Sequence, residues 1–434
     1  MAELWALLPV WAQDMATALL LLLPGLVIGL VVLRGYAPGG LVRAMLYRFR
    51  GANLVFVLLI AVSVAIGIGL TAQERALRRG SAQAAEKFDL IVAAPGSEIT
   101  MLLAAVYLQP TDVPLLDGET YAEVASAEGV ALAAPLAFGD SHLGAPVVGT
   151  TVAFVTHLSG ALAEGSMFQR AGEAVAGAYA PVGPGASFTP AHGHGPDAEE
   201  HEGEAFTVTG RMAPTGSPWD RAILVPVEAV WEVHGLANGH APEEGARIGP
   251  PFDPARMPGT PAILVHADQL WANYALKSRF TTASTMAFFP GTVLAQMHGL
   301  MRDLREAMSL MALLTQGLVT VAVLSGLMIL TRVFARGLAL LCAVGAPARF
   351  VLAVVWSYAA ALILSGALLG LGLGWVAAIG FSALITARTD VLVTATLSWT
   401  EVQLVAGFIS LTLALALLPA LAALRRSVLA DLRA

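Results

Sequence analysis

NLVFVLLIAVSVAIGIGLTAQERALRRGSAQAAEKF, residues 53–88, decides the fold of this chain. Its first part, Asn53 to Ala72, is apolar for the roughly 20 residues that a helix needs to cross about 30 Å of hydrocarbon. Its second part, Gln73 to Phe88, is charged, rich in alanine and free of proline. Nothing between the two parts breaks a helix. The stretch therefore predicts one helix that crosses a membrane and continues into water as a stalk.

The rest of the chain agrees. Four further runs are long and apolar enough to span: about Met15–Leu33 (with Pro24-Gly25), Met308–Thr331, a segment within Phe350–Leu384, and Val402–Leu424. Of the 434 residues 57% are hydrophobic and only 13% charged, against about a quarter charged in soluble proteins. The net charge of -7 argues against a nucleic-acid partner. The single cysteine, Cys342, excludes an intrachain disulfide and a cysteine-built zinc cage. Of the two lysines, Lys87 and Lys277, neither follows glycine, so the chain has no Gly-Lys-Ser/Thr loop with which to cradle ATP phosphates. No catalytic constellation stands out: Ser and Asp are present near His142, but spacing along the chain alone does not make a triad, and the His-x-x-Glu-His and His-Glu-x-x-His patterns are absent.

Arginines set the orientation. Arg34, Arg43, Arg48 and Arg50, then Arg332, Arg336 and Arg349, then Arg425, Arg426 and Arg433 all fall on one side, which is therefore cytoplasmic. The N-terminus, the long insert between the second and third spans, and the short loop at Arg388 and Asp390 fall outside. The first span is expected to be retained, because no basic region precedes it as in a signal peptide.

Several elements flank the spans. Gly39 to Arg50 predicts an amphipathic helix with Leu41, Met45, Leu46 and Phe49 toward lipid and Arg43, Arg48 and Arg50 toward headgroups. Val293, Leu294, Met297, Leu300, Met301, Leu304 and Met308 recur at helical spacing and predict a second stalk helix running into the third span. Ala61, Ala65 and Gly69, and likewise Gly366, Gly370 and Gly374, repeat every four residues, as on faces where helix backbones approach closely in lipid. Whether those faces meet within one chain or across a dimer is open from sequence. In the insert, Asp89–Ala93, Ala145–Val155, Phe206–Met212, Ala222–Val227 and Ala262–Val265 predict strands. Gln83–Lys87, Gly118–Ser126 and Val227–His234 predict helical pieces, and residues 181–204 an exposed loop.

All nine histidines lie between 142 and 298. Three share the acidic loop: His192, His194 and His201, near Asp197, Glu199, Glu200, Glu202 and Glu204. Imidazole suits zinc, copper or nickel, and carboxylates can complete a shell. The spacing matches no rigid zinc motif, so this set reads either as a metal site or as a solvated acidic loop. The other six histidines read as hydrogen-bonded domain residues.

Over residues 40–434 the chain resembles the MacB/FtsX-like permeases, the membrane subunits of type VII ABC transporters. Four pieces carry the likeness: Phe88-Asp-Leu-Ile-Val-Ala-Ala-Pro-Gly-Ser97; Phe206-Thr-Val-Thr-Gly210 with Ile223-Leu-Val-Pro226; Leu338 to Ala346, ending Ala343-Val-Gly-Ala346; and Pro419 to Arg425 with Leu432-Arg433. The run Ala213-Pro-Thr-Gly-Ser-Pro-Trp-Asp220 is similar to that of permeases from zinc-regulated bacterial operons. Two departures are clear. Gly337 and Cys342 stand where the family carries charged residues in its cytoplasmic loop, and the first span is additional.

The resemblance implies an α-helical membrane protein with an inserted α+β extracytoplasmic domain, about five transmembrane helices and a helical stalk. Residues 1–35 are the extra span, 36–52 the elbow, 53–87 a span and stalk, 88–290 the periplasmic domain, 291–331 the second stalk and span, 332–349 a cytoplasmic coupling loop, and 350–434 two spans and a tail. It implies a non-enzymatic permease in a bacterial inner membrane, paired with itself and served by a separate ABC ATPase dimer. The ATPase, not this chain, binds ATP and Mg. Docking falls to Arg336, Leu338, Leu340, Leu341, Gly345 and Ala346. The chain either passes cargo, with zinc a candidate, or transmits motion to a periplasmic partner such as a metal-binding protein or lipoprotein, or to an amphipathic cargo. A membrane-anchored enzyme or metal sensor is the third class open from sequence.

Overall fold

The computed structural model describes residues 5, 8–193, 199–200, 204–389 and 391–424. They form two compact units, one within 1–76, 302–383 and 394–434, the other within 77–301 and 384–393.

Among the described residues, five helices are long and apolar enough to cross a membrane, wholly or mainly within the first unit: Val10–Leu33, the span-bearing part of Arg50–Ala85, Glu306–Val333, Ala348–Thr389 and Trp399–Ala422. Their outward faces are apolar, with Leu20, Leu30, Leu313 and Leu318 exposed, as lipid requires and water would not. Inside, Ile60, Val64, Ile68, Ala359, Ile363 and Ala367 pack in one core.

Small residues make that packing possible, and they do so within one chain. A Cβ on Gly370 would stand 2.7 Å from both the Ala61 carbonyl oxygen and Val64 Cβ; on Gly366 it would meet Ile60 Cβ at 2.7 Å, and on Gly374 Ile68 Cβ at 2.8 Å. The glycine face of the fourth span thus takes the Ile60–Ile68 ridge of the second. Ala61 is fully buried and Ala65 partly so, but Gly69 departs from expectation: a Cβ there meets nothing within 4 Å. The contact is made by the bulky neighbours Ile60, Val64 and Ile68 as much as by the small residues.

The additional first span packs on the fifth. Gly25 N–H donates to Ser410 Oγ at 3.1 Å, and Gln403 donates to the Asp14 carbonyl. Pro24 sits inside this helix, and a hydroxyl on the neighbouring span serves the backbone next to it. Trp356 Nε1 donates to the Leu413 carbonyl, joining the fourth and fifth spans.

The helix Gly39–Arg48 forms where expected, but its apolar face has another use. Val42 and Met45 are buried, and Leu41, Leu46 and Phe49 pack against the unit's own core rather than lipid. Phe49 meets Phe334 edge-on with ring centroids 4.9 Å apart. Asn53 donates to the Leu46 carbonyl and accepts from the Tyr358 hydroxyl. Arg43, Arg48 and Arg50 stay exposed.

The second unit is built on two sheets. One orders its strands Met286–Phe288, Leu90–Ala93, Ala262–Ala267, Val130–Pro135, all antiparallel. The larger, mixed sheet runs Leu162–Gly165, Phe206–Met212, Glu173–Ala176, Ile223–Pro226, Ala145–Thr150, Ala137–His142, Ala191–His192, Glu199–Glu200, with Ser187–Phe188 paired to Phe206–Thr207. Alternate residues feed two cores: Leu90, Val92, Ile263 and Val265 enter one, and Ile91, Ala93, Leu264 and Phe288 the other. Strands covered on both faces read as continuous apolar runs, which is why Leu90–Ala93 and Ile223–Pro226 were visible in sequence.

Some expectations shift. Ala145–Val155 is not one strand; it ends at Thr150, and the Thr151 hydroxyl accepts from Phe154 N–H to start the helix Val152–Ser159. Gln83–Lys87 is no separate piece, since the helix from Arg50 runs to Ala85. Residues 181–204 are partly strand, including Ala191–His192. The loop 384–393 belongs to this unit: Leu392 N–H lies 3.4 Å from the Gly216 carbonyl oxygen, as suits a loop on the same side of the membrane as the insert.

Candidate functional site

The strand Ala137–His142 carries a bulge against Ala145–Thr150, with the register shifting between Phe138 and Asp140. Gly139 makes it possible, at φ +147, where a side chain would be strained. A bulge re-aims the residues beside it. Asp140 lies directly opposite His192 in the antiparallel pairing with Ala191–His192, so both fall on one face. The backbone clamps the pair: Gly193 N–H donates to the Gly139 carbonyl at 2.9 Å and Ser141 Oγ to the Gly193 carbonyl at 2.6 Å.

His234 arrives from the other direction. It ends the helix Val227–Val233, which packs closely on the strand Ala145–Thr150 because Gly149 has no side chain. A Cβ on Gly149 would meet Val230 Cγ2 at 2.8 Å and Val227 Cα at 3.0 Å. The result is a triangle. Asp140 Oδ1 lies 3.3 Å from His192 Nδ1 and 3.5 Å from His234 Nε2, and the two imidazole nitrogens are 3.4 Å apart. Asp140 is buried at its base, with 2% of its side chain exposed, while His192 keeps 62% and His234 31%. A cavity of about 280 Å³ adjoins the triangle; Asp140 and His192 line it along with Gln109, Thr111 and Asp112.

Of the three expected ligands, His192 is therefore in a cluster, but with Asp140 and His234. His194 and His201 lie outside the described residues. Sequence reading set His234 aside as a domain histidine and passed over Asp140, since a helix-end histidine and one acid in a strand carry no spacing signal. The other histidines have the expected partners. His142 bonds the Thr189 carbonyl, His157 the Lys87 carbonyl, His240 Glu228, His266 Asp89 and His298 Ser81.

The Glu228–His240 pair is deeply buried, at 2% and 1% side-chain exposure. Burial holds the Glu228 carboxyl above its ordinary 4.5, against the opposing pull of hydrogen bonds from Gly249 N–H and His240. A carboxyl whose folded pKa is raised gives its full stability below the unfolded value and loses it as pH rises through the folded value. Glu228→Gln, which keeps an acceptor but cannot ionise, is expected to flatten the decline in thermal midpoint above pH 4.5. Scanning fluorimetry from pH 4.5 to 8 checks this: parallel curves for mutant and wild type would refute it.

In the first unit, the helix Ala335–Ala343 and the turn after it hold the expected docking residues. Arg336, Leu340 and Gly345 are exposed, Leu341 and Ala346 half-buried, and Val344, not chosen from sequence, is 90% exposed. Leu338 is buried in the unit's own core and offers no docking surface. Gly345, at φ +105, ends the helix, with Ala346 N–H closing on the Leu341 carbonyl.

One charged pair lies deep in this unit. Arg75 donates to Glu401, which is fully buried and whose second oxygen accepts from Ser398 N–H, capping the fifth span.

No family model and no curated protein matches the chain. Among solved structures it is similar to the periplasmic region of MacB from Actinobacillus actinomycetemcomitans, at 11% identity and TM-score 0.31, over 50% of this chain and 95% of that one. It is also similar to the extracellular domain of the noncanonic ABC-type transporter YknZ from Gram-positive bacteria, at 12% identity and TM-score 0.27, over 46% and 98%.

Proposed function

We propose that this chain is the membrane subunit of an ABC transporter, coupling ATP hydrolysis by a separate ATPase to movement of its outer domain. One observation carries the reading. The α+β unit is inserted between two helices, Arg50–Ala85 and Pro290–Val333, of 36 and 44 residues, each well beyond the roughly 20 needed to span. Each helix runs along the chain from one unit into the other. The motif resemblance in the stalk exit, the outer strands and the cytoplasmic loop supports the same reading.

The mode we favour is mechanotransmission to a periplasmic partner, lipoprotein or amphipathic cargo. The apolar stretches of the spans carry almost no charge, and the second and fourth pack closely through glycine-to-ridge contacts. An ion path through the bilayer would need intramembrane polar groups. In this reading the chain lies in a bacterial inner membrane, pairs with a second copy and serves a zinc-handling system.

The test is biochemical. The purified chain alone should turn over no ATP, and co-expression with a cognate ABC ATPase should yield a complex that does. Hydrolysis by the isolated, contaminant-free chain would sink the reading.

A further inference from the structure

The geometry points to a zinc site made by Asp140, His192 and His234, reversible and open on one side; it rests on the side chains themselves and not on the permease reading. An ion about 2.0–2.1 Å from tetrahedral nitrogen and oxygen ligands sets them about 3.3–3.4 Å apart. The three ligand atoms here are separated by 3.3, 3.4 and 3.5 Å. All three edges of the triangle match one face of that tetrahedron.

The tautomer of His234 is set for coordination. Its Nδ1 lies 2.7 Å from the Val230 carbonyl oxygen, which only accepts, so Nδ1 carries the proton. Nε2 then presents its lone pair to Asp140 and His192. A backbone carbonyl behind the ring is the usual second contact of a metal-binding histidine, and it fixes the ring's orientation. The two imidazole planes are inclined at 71°, so the rings do not stack. Asp140 brings the negative charge, on a strand whose bulge needs Gly139.

Three protein ligands leave a fourth tetrahedral position, as in sites where a bound water or substrate exchanges. Its neighbourhood is accessible, with His192 62% exposed and the 280 Å³ cavity alongside. Such a site loads and releases zinc. A buried four-ligand cage would hold it for structure.

The full chain in detergent, stripped with a chelator, is titrated with zinc against a chromogenic competitor, and separately with cobalt. The expected result is one zinc per chain and the intense visible absorption of four-coordinate cobalt. Asp140→Asn, His192→Ala and His234→Ala should each weaken zinc binding by more than the roughly 10–100-fold that a lost second contact costs. His192 is mostly exposed, so its variant keeps the fold, and an unchanged metal-free melting midpoint verifies this for all three. Capture of the ATPase should not change in any of them, which separates this result from the permease reading. The inference is overturned if the wild type takes up no stoichiometric zinc, or if its cobalt spectrum is the weak one of six-coordination. It is equally overturned if Asp140→Asn and His234→Ala bind as wild type does, whatever a His194→Ala/His201→Ala variant does.

Discussion

Arg75→Ala is expected to lower the stability of the membrane unit by about 3–5 kcal/mol, the cost of breaking a buried ion pair from one side. Glu401 has no exposed side-chain surface, and without Arg75 its carboxylate stays buried beside a helix N-terminus with the Ser398 N–H as a remaining donor. Glu401→Gln should cost less. Arg75 retains 19% of its side chain in contact with solvent, and glutamine can still cap Ser398. Removing both charges, as Arg75→Met/Glu401→Gln, should recover most of the loss, because a buried pair is worth little against an apolar replacement. A double-mutant cycle of unfolding midpoints in detergent measures the coupling. Additive single effects would show that the pair does not hold the second and fifth spans together.

On the proposed function, Leu340→Asp should reduce binding of the proposed ATPase by roughly a hundredfold, since an unpaired charge forced into an apolar contact costs about 3 kcal/mol or more. Val344→Asp should do the same. Both side chains are exposed, at 53% and 90%, so neither change disturbs the unit's core. Leu338→Asp is the contrasting case: Leu338 is buried, and its variant should fail in folding rather than docking. Co-purification of the ATPase with correctly inserted Leu340→Asp and Val344→Asp chains, undiminished, would place the docking surface elsewhere.

The five apolar spans were legible in the order of residues, because lipid demands runs of about 20 apolar residues. So were strands buried on both faces, such as Leu90–Ala93 and Ile223–Pro226, whose apolar runs are local, and the alternating strand Phe206–Met212. Only the tertiary structure showed which surface an apolar residue meets. Met45 and Leu46 read as lipid-facing and pack on protein, Leu338 read as a docking residue and is core, and Gly69 shared the spacing of Ala61 and Ala65 but meets nothing. Hydropathy reports that a side chain leaves water and is silent on whether lipid, a partner or the chain's own core receives it. The site divides in the same way. His192 stood out by its histidine-rich neighbourhood, whereas Asp140 and His234 did not. Their convergence depends on a glycine bulge at 139, a strand register and a helix seated on Gly149, long-range features that no spacing along the chain encodes.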